Sequence, residues 1–183
     1  SKENSCKSSE AKVVKLMCQL PPIVKMDNKL NDLVACEHLS LATNAIEKLA
    51  PLPGCSSLKI LSLARNNIKK VEKLDDLGNT LEELWLSYNL IAKLGGLENM
   101  LKLRVLYLSN NQIASFDALS KLEPLPALTE LLLVGNPMYD SVSTEQARVE
   151  VVKRLPKLLK LDGLMISPET HEAAKGQLNV ESQ

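Results

Sequence analysis

The sequence predicts an α/β solenoid, with a parallel sheet on its concave face, short helices on its convex face and a helical cap at the carboxyl end. Three observations predict it. Leucine dominates, with 36 copies in 183 residues, while only 3% of a chain that is 45% hydrophobic is aromatic. That bias fits one packing environment used many times over. Four segments then superimpose: "LSLATNAIEKLAPL" from Leu39, "LSLARNNIKKVEKL" from Leu61, "LWLSYNLIAKLGGL" from Leu84 and "LYLSNNQIASFDAL" from Leu106, with "LLLVGNPMYD" from Leu131 starting the same way before it diverges. Finally, Asn44, Asn66, Asn89, Asn111 and Asn136 recur at steps of 22, 23, 22 and 25 residues, a regularity that chance does not produce.

The shared frame, L-x-L-x-x-N-x-I-x-x-L-x-x-L, is the leucine-rich repeat, and each of its positions has a physical reason. Leucines two apart on a short strand point to the same side, which becomes the interior. Asparagine follows where the chain turns. Its amide can bond turn groups that have no sheet partner, so stacked turns form a ladder of such bonds. The later isoleucine and leucines fill the inside of the returning arm. One repeat cannot bury its own leucines, but stacked neighbours can.

The ends read as caps on a domain spanning 13–164, after a polar segment at 1–12. In "VVKLMCQLPPIVKMDNKLNDL", Val14 and Leu16 imitate the strand leucines, and Ile23, Met26 and Leu30 imitate the return arm. This is a degenerate first repeat in which Pro21 and Pro22 replace the asparagine turn. The carboxyl-terminal cap occupies 143–163. "STEQARVEVVKRLP" predicts a helix, opened by Ser143 with Gln146 in a capping box. Ala147, Val151 and Leu155 lie on one face. "LPKLLKLDG" supplies a last frame. "SPETHEAAK" begins a helix or tail over 165–183 that has little apolar surface and is expected to project from the body.

Period two then assigns the outward side chains. The middle column reads Ser40, Ser62, Trp85, Tyr107, Leu132 and Lys160. One flank reads His38, Ile60, Glu83, Val105 and Glu130, and the other ends in Val134. The only tryptophan, Trp85, thus faces outward beside Tyr107 and Leu132, on strands about 5 Å apart. With Val105, Val134 and Tyr88 just past the strand, these side chains predict an apolar binding patch edged by Glu83 and Glu130. Apolar patches of this kind mark interaction sites, and tryptophan and tyrosine are enriched at their energetic centres.

Catalytic chemistry has no foothold in the pattern. "HEAAK" at 171–175 lacks the second histidine of a metalloprotease helix. No G-x-S-x-G is present, and Gly95–Gly96 is not followed by a phosphate-binding lysine. Cys6, Cys18, Cys36 and Cys55 form no C-x-x-C pair, so no zinc site is expected, and reduced, mostly buried thiols are. Neither cofactor nor metal is called for. Lys plus Arg equals Asp plus Glu at 22 each, which argues against nucleic-acid or membrane partners. The polar "SKENSCKSSEAK" has no signal-peptide core. The expectation is a cytoplasmic monomer.

The stretches "PPIVKMD", "ILSLARNNIKK", "NTLEELWLSYNLI", "LRVLYLSNN", "VGNP" and "RLPKLLKLDG" carry a closer resemblance. Over roughly residues 11–164 the chain resembles the leucine-rich light-chain family of axonemal outer-arm dynein. "TLEELWLSYN" is the most specific stretch, since a generic repeat needs only its leucines and asparagine. The sequence departs from the family in lacking a clear leading helix and in its tail after Gly163. The resemblance implies a non-catalytic subunit that binds a dynein heavy chain near the microtubule-binding end of its motor unit and regulates motility at the axoneme of cilia and flagella, with tubulin as a candidate second partner. A regulatory subunit of a protein phosphatase would use the same concave face, with acidic and aromatic contacts, and a spliceosomal scaffold of similar repeats would hold an RNA-binding partner beside a basic flank, which the neutral charge does not favour.

Overall fold

A computed structural model describes residues 7–181. Cys6 lies outside them. The strands are β1 (Val13–Lys15), β2 (His38–Ser40), β3 (Ile60–Ser62), β4 (Glu83–Trp85), β5 (Val105–Tyr107), β6 (Glu130–Leu132), β7 (Lys160–Leu161) and β8 (Leu164–Met165). They form one sheet in chain order. β1 to β7 are parallel, and their register places Val14, Leu39, Leu61, Leu84, Leu106, Leu131 and Leu161 in a single row. From Leu39 onward that row is fully buried, as are Leu63, Leu86, Leu108 and Leu133 two residues on. One continuous core runs the length of the solenoid.

The strands are short because each runs straight into a left-handed turn. Thr43, Arg65, Tyr88 and Asn110 have φ between 53° and 58°, and Gly135 has 80°. Each immediately precedes a ladder asparagine. A non-glycine residue held there costs roughly 1 kcal/mol or more, and the asparagine amide holds it. Asn89 Oδ1 accepts from Ile68 N at 3.0 Å, while its Nδ2 donates to Leu63 O and Leu86 O at 3.0 and 2.9 Å. Asn44, Asn66, Asn111 and Asn136 accept in the same way from Ile23, Ile46, Ile91 and Ile113. The return arms are irregular or 3-10 turns (Asn28–Asp32, Asp75–Leu77, Phe116–Leu122) where short helices were expected.

The first repeat is degenerate as read, with one correction. Cys18, at φ 54°, occupies the left-handed position. The residue at the ladder position is therefore Gln19, ahead of the prolines. Its longer side chain reaches only Met17 O, at 3.2 Å.

At the other end, α1 (Thr144–Arg154) is capped by Ser143, whose hydroxyl accepts from Gln146 N at 3.1 Å. Ala147, Val151 and Leu155 are buried, as is Val152. The final "LDG" is more than the end of a frame. Asp162 and Gly163 both have positive φ, 51° and 81°, making a two-residue turn of the kind that asparagine or aspartate with glycine favours. It folds β8 antiparallel onto β7, so the boundary expected at 164 falls inside a hairpin. Arg148 ties that hairpin to α1 through Leu161 O and Met165 O, at 3.0 and 2.9 Å. α2 (Pro168–Glu181) packs against α1 with Ala174 buried. The expected projecting tail is therefore laid along the cap, with the small Ala174 side chain at the contact. No helix among the described residues is long and apolar enough to cross a membrane.

Asp162 also ends the ladder. Its Oδ1 accepts from Leu133 N and Val134 N at 2.7 and 3.0 Å, and its Oδ2 accepts from the Tyr139 hydroxyl at 2.6 Å. Asp162→Ala should lower the stability measured by urea unfolding by about 2 kcal/mol, because the Leu133 amide and the half-buried tyrosine hydroxyl lose their partner.

Candidate binding surface on the concave face

β4, β5 and β6 bring the predicted patch together. Trp85 and Tyr107 are register partners, and their rings stack with centroids 6.0 Å apart and an interplanar angle of 20°. Tyr107 pairs in turn with Leu132. Ile60, Trp85, Tyr107 and Leu132 are half-buried, while Tyr88 and Val134 are 47% and 48% exposed. Tyr88 sits on a turn and extends past the strand. The Arg65 guanidinium, from the equivalent position one turn earlier, lies 4.2 Å from its ring centre, a cation–π contact.

Three residues expected on the open face are covered instead: Ser40 is 2% exposed, Ser62 4% and Val105 3%. At Ser62 the reason is lateral reach. The Trp85 indole leans across β3 toward His38 on β2, two strands away, and meets its imidazole edge-on at 5.7 Å. Ser62, on the strand between them, becomes floor. His38 is the residue that sequence reasoning missed. It stood in the flanking column, but period two reports only which face a side chain takes and says nothing of how far it spreads. The contact has a cost, since Trp85 Nε1 and His38 Nε2 are both buried without a hydrogen-bond partner. Such atoms each forfeit about 1–3 kcal/mol of hydrogen bonding.

The glutamate edge is present but already neutralised. Glu83 pairs with Arg104 at 2.9 Å. Glu130 accepts from the Tyr107 hydroxyl at 2.8 Å and from Lys160 at 3.1 Å. Burial alone would raise the Glu130 carboxyl, but the bonds from Tyr107 and Lys160 outweigh it and hold the group below its ordinary range. Its stabilising pull is thus present above the usual carboxylate range and is lost as acid protonates it. Burial first, then the hydrogen bond to Glu130, push the Tyr107 phenol up to about 12. The concave surface is therefore an aromatic–aliphatic stripe with a charge-balanced rim.

Cys36 and Cys55 are buried free thiols and Cys18 is exposed. Burial raises the Cys55 thiol to about 11. No group of three or more His, Cys, Asp or Glu side chains suited to a metal occurs among the described residues.

Comparison with known proteins decides the family. The chain is 56% identical over 171 residues to dynein axonemal light chain 1 of Chlamydomonas reinhardtii, covering 91% of this chain and 86% of that one. To the Danio rerio and Homo sapiens proteins of the same name it is 58% and 59% identical, covering 91% and 85% of this chain and 87% and 82% of those relatives. The chain belongs to the dynein axonemal light chain 1 family. The family model described as Leucine Rich repeats (2 copies) matches residues 79–121, the span that carries Trp85 and Tyr107. Solved structures agree on the fold. An LRR protein of Leptospira interrogans superposes with a TM-score of 0.61 at 29% identity, covering 76% of this light chain and 34% of that protein. Internalin C2 of Listeria monocytogenes gives 0.57 at 30%, covering 72% and 53%. The Drosophila melanogaster SNF/U2A' complex gives 0.53 at 20%, covering 88% and 83%, a likeness of fold alone.

Proposed function

We propose that this light chain is a non-catalytic subunit of axonemal outer-arm dynein. In this reading it binds a heavy-chain motor unit near its microtubule-binding end, through the concave stripe, and so regulates ciliary and flagellar motility. Its place is the axoneme, with tubulin as a candidate second contact. The observation that carries the reading is the stacked Trp85–Tyr107 pair on an open sheet face. Large aromatic side chains on adjacent strands of a rigid scaffold cost little entropy to present and give up much water-exposed area when covered. The family name supplies the kind of complex, and the stripe supplies the means of joining it.

Calorimetric titration with a heavy-chain motor fragment tests this. Trp85→Ala is expected to keep the circular dichroism of the folded chain and to weaken binding by about 2 kcal/mol or more, the scale of a central aromatic anchor. Tyr107→Ala should act in the same direction. The double variant should be non-additive, because the two rings touch. Wild-type affinity in a folded double variant would sink the concave-face reading.

A further inference from the structure

Away from the concave face, a second surface repeats with the solenoid. Ile23, Ile46, Ile68 and Ile91 each donate a backbone N–H to the ladder asparagine of the following turn. Two residues beyond each stands a lysine: Lys25, Lys48, Lys70 and Lys93. The carbonyls of the same four isoleucines accept from Ala45, Asn67, Leu90 and Gln112 of the next turns, all at 2.9 Å, so the four turns are locked in register. In the fifth turn Ile113 is followed by Ser115 and the column ends.

All four lysines are exposed, and none of them is in an ion pair among the described residues. Lys48 and Lys70 open onto a cleft of about 340 Å³ whose other walls are Lys69, Lys73, Glu47 and Glu72. Four cations there face two carboxylates, and Glu72 already lies 4.0 Å from Lys73. Other exposed lysines without an ion pair stand singly, as at Lys15, Lys102, Lys121 and Lys157. In the column one recurs at the same offset on four successive turns. Like charges on neighbouring turns repel, and a complementary row of carboxylates relieves that repulsion.

We propose that this lysine column docks an extended acidic peptide of a partner protein. The spacing suits it. Four turns about 5 Å apart span roughly 15 Å, and an extended peptide presents same-face side chains about every 6.7 Å, so a run of about five residues with alternate carboxylates sets three charges over about 13 Å against the four lysines, within the reach of lysine stems. Single-stranded nucleic acid fits less well, because the cleft lacks the aromatic platforms on which bases stack and because Glu47 and Glu72 interrupt it. A membrane surface fits less well, because the row is one lysine wide. The site is independent of the concave stripe and goes beyond the heavy-chain reading.

Fluorescence anisotropy of the full chain with a labelled, glutamate-rich peptide of about twelve residues tests it at low salt. Gln replacement at Lys25, Lys48, Lys70 and Lys93 together should weaken binding about tenfold or more. Gln replacement at Lys102, Lys121, Lys157 and Lys175, an equal change in net charge, should shift it by less than about twofold. Circular dichroism establishes that both variants fold. The proposal is overturned if the peptide does not bind or if both variants weaken it equally. It is also overturned if a single-stranded oligonucleotide or a phosphatidylserine vesicle binds the column more tightly than the peptide.

Discussion

Leu86→Ala is expected to lower the unfolding free energy by roughly 2–5 kcal/mol, the range for deleting a fully buried leucine and leaving a cavity. Leu86 is fully buried next to Trp85. Its carbonyl is also shared, accepting Nδ2 of Asn89 and of Asn111 at 2.9 and 3.0 Å. A cavity at this position therefore loosens two rungs of the ladder together. Because each repeat is supported only by its neighbours, the loss should appear in urea unfolding as a lower midpoint. A reduced slope should accompany it if the solenoid no longer unfolds as one unit.

Asn89→Ala should cost about 3 kcal/mol in the same assay, near the upper end for a buried group left unpaired. Its three partners do not suffer equally. Leu63 O keeps Asn66 Nδ2 at 3.0 Å, and Leu86 O keeps Asn111 Nδ2. The amide of Ile68 has no other acceptor, so most of the cost falls on one N–H. Asn89→Asp discriminates further. One carboxylate oxygen can still accept from Ile68, but the other faces two carbonyls that need a donor. Burial raises such an acid above the roughly 3.9 of the unfolded chain. The variant is therefore most stable below that value, where the neutral acid donates to a carbonyl, and it loses stability as pH rises through the folded value. Asn44, in a partly exposed rung, should tolerate alanine better than Asn89.

The repeat was legible because its demands are local and periodic. A buried strand leucine and a turn asparagine are needed at the same offset in every turn, so Leu39, Leu61, Leu84, Leu106 and Leu131 announce the row that the register confirms. The outward facing of Trp85 was legible for the same reason. Sideways reach was not. That the indole spans β3 to meet His38 and cover Ser62 depends on the side-chain rotamer of Trp85 and on the small side chain at position 62. The pairing of Glu83 with Arg104 was hidden because the partners lie 21 residues apart on different turns. The Asp162–Gly163 hairpin was in plain sight as a turn dipeptide. The repeat frame masks it, because the residues before it fit that frame so well.

The orphaned indole N–H has an optical consequence. Trp85 is the only tryptophan in the chain, so all indole emission comes from one place. Hydrogen bonding to the excited indole shifts emission to longer wavelength, and this Nε1 is buried with no hydrogen-bond partner in the protein. The free protein should therefore fluoresce toward the blue for so shallow a position, with Tyr107 stacked at 6.0 Å as a built-in energy donor when excitation is short enough for tyrosine to absorb as well. Any occupant of the concave face that draws the indole off His38, or gives its N–H an acceptor, changes both colour and transfer. The surface carries its own unlabelled reporter at the centre of the stripe.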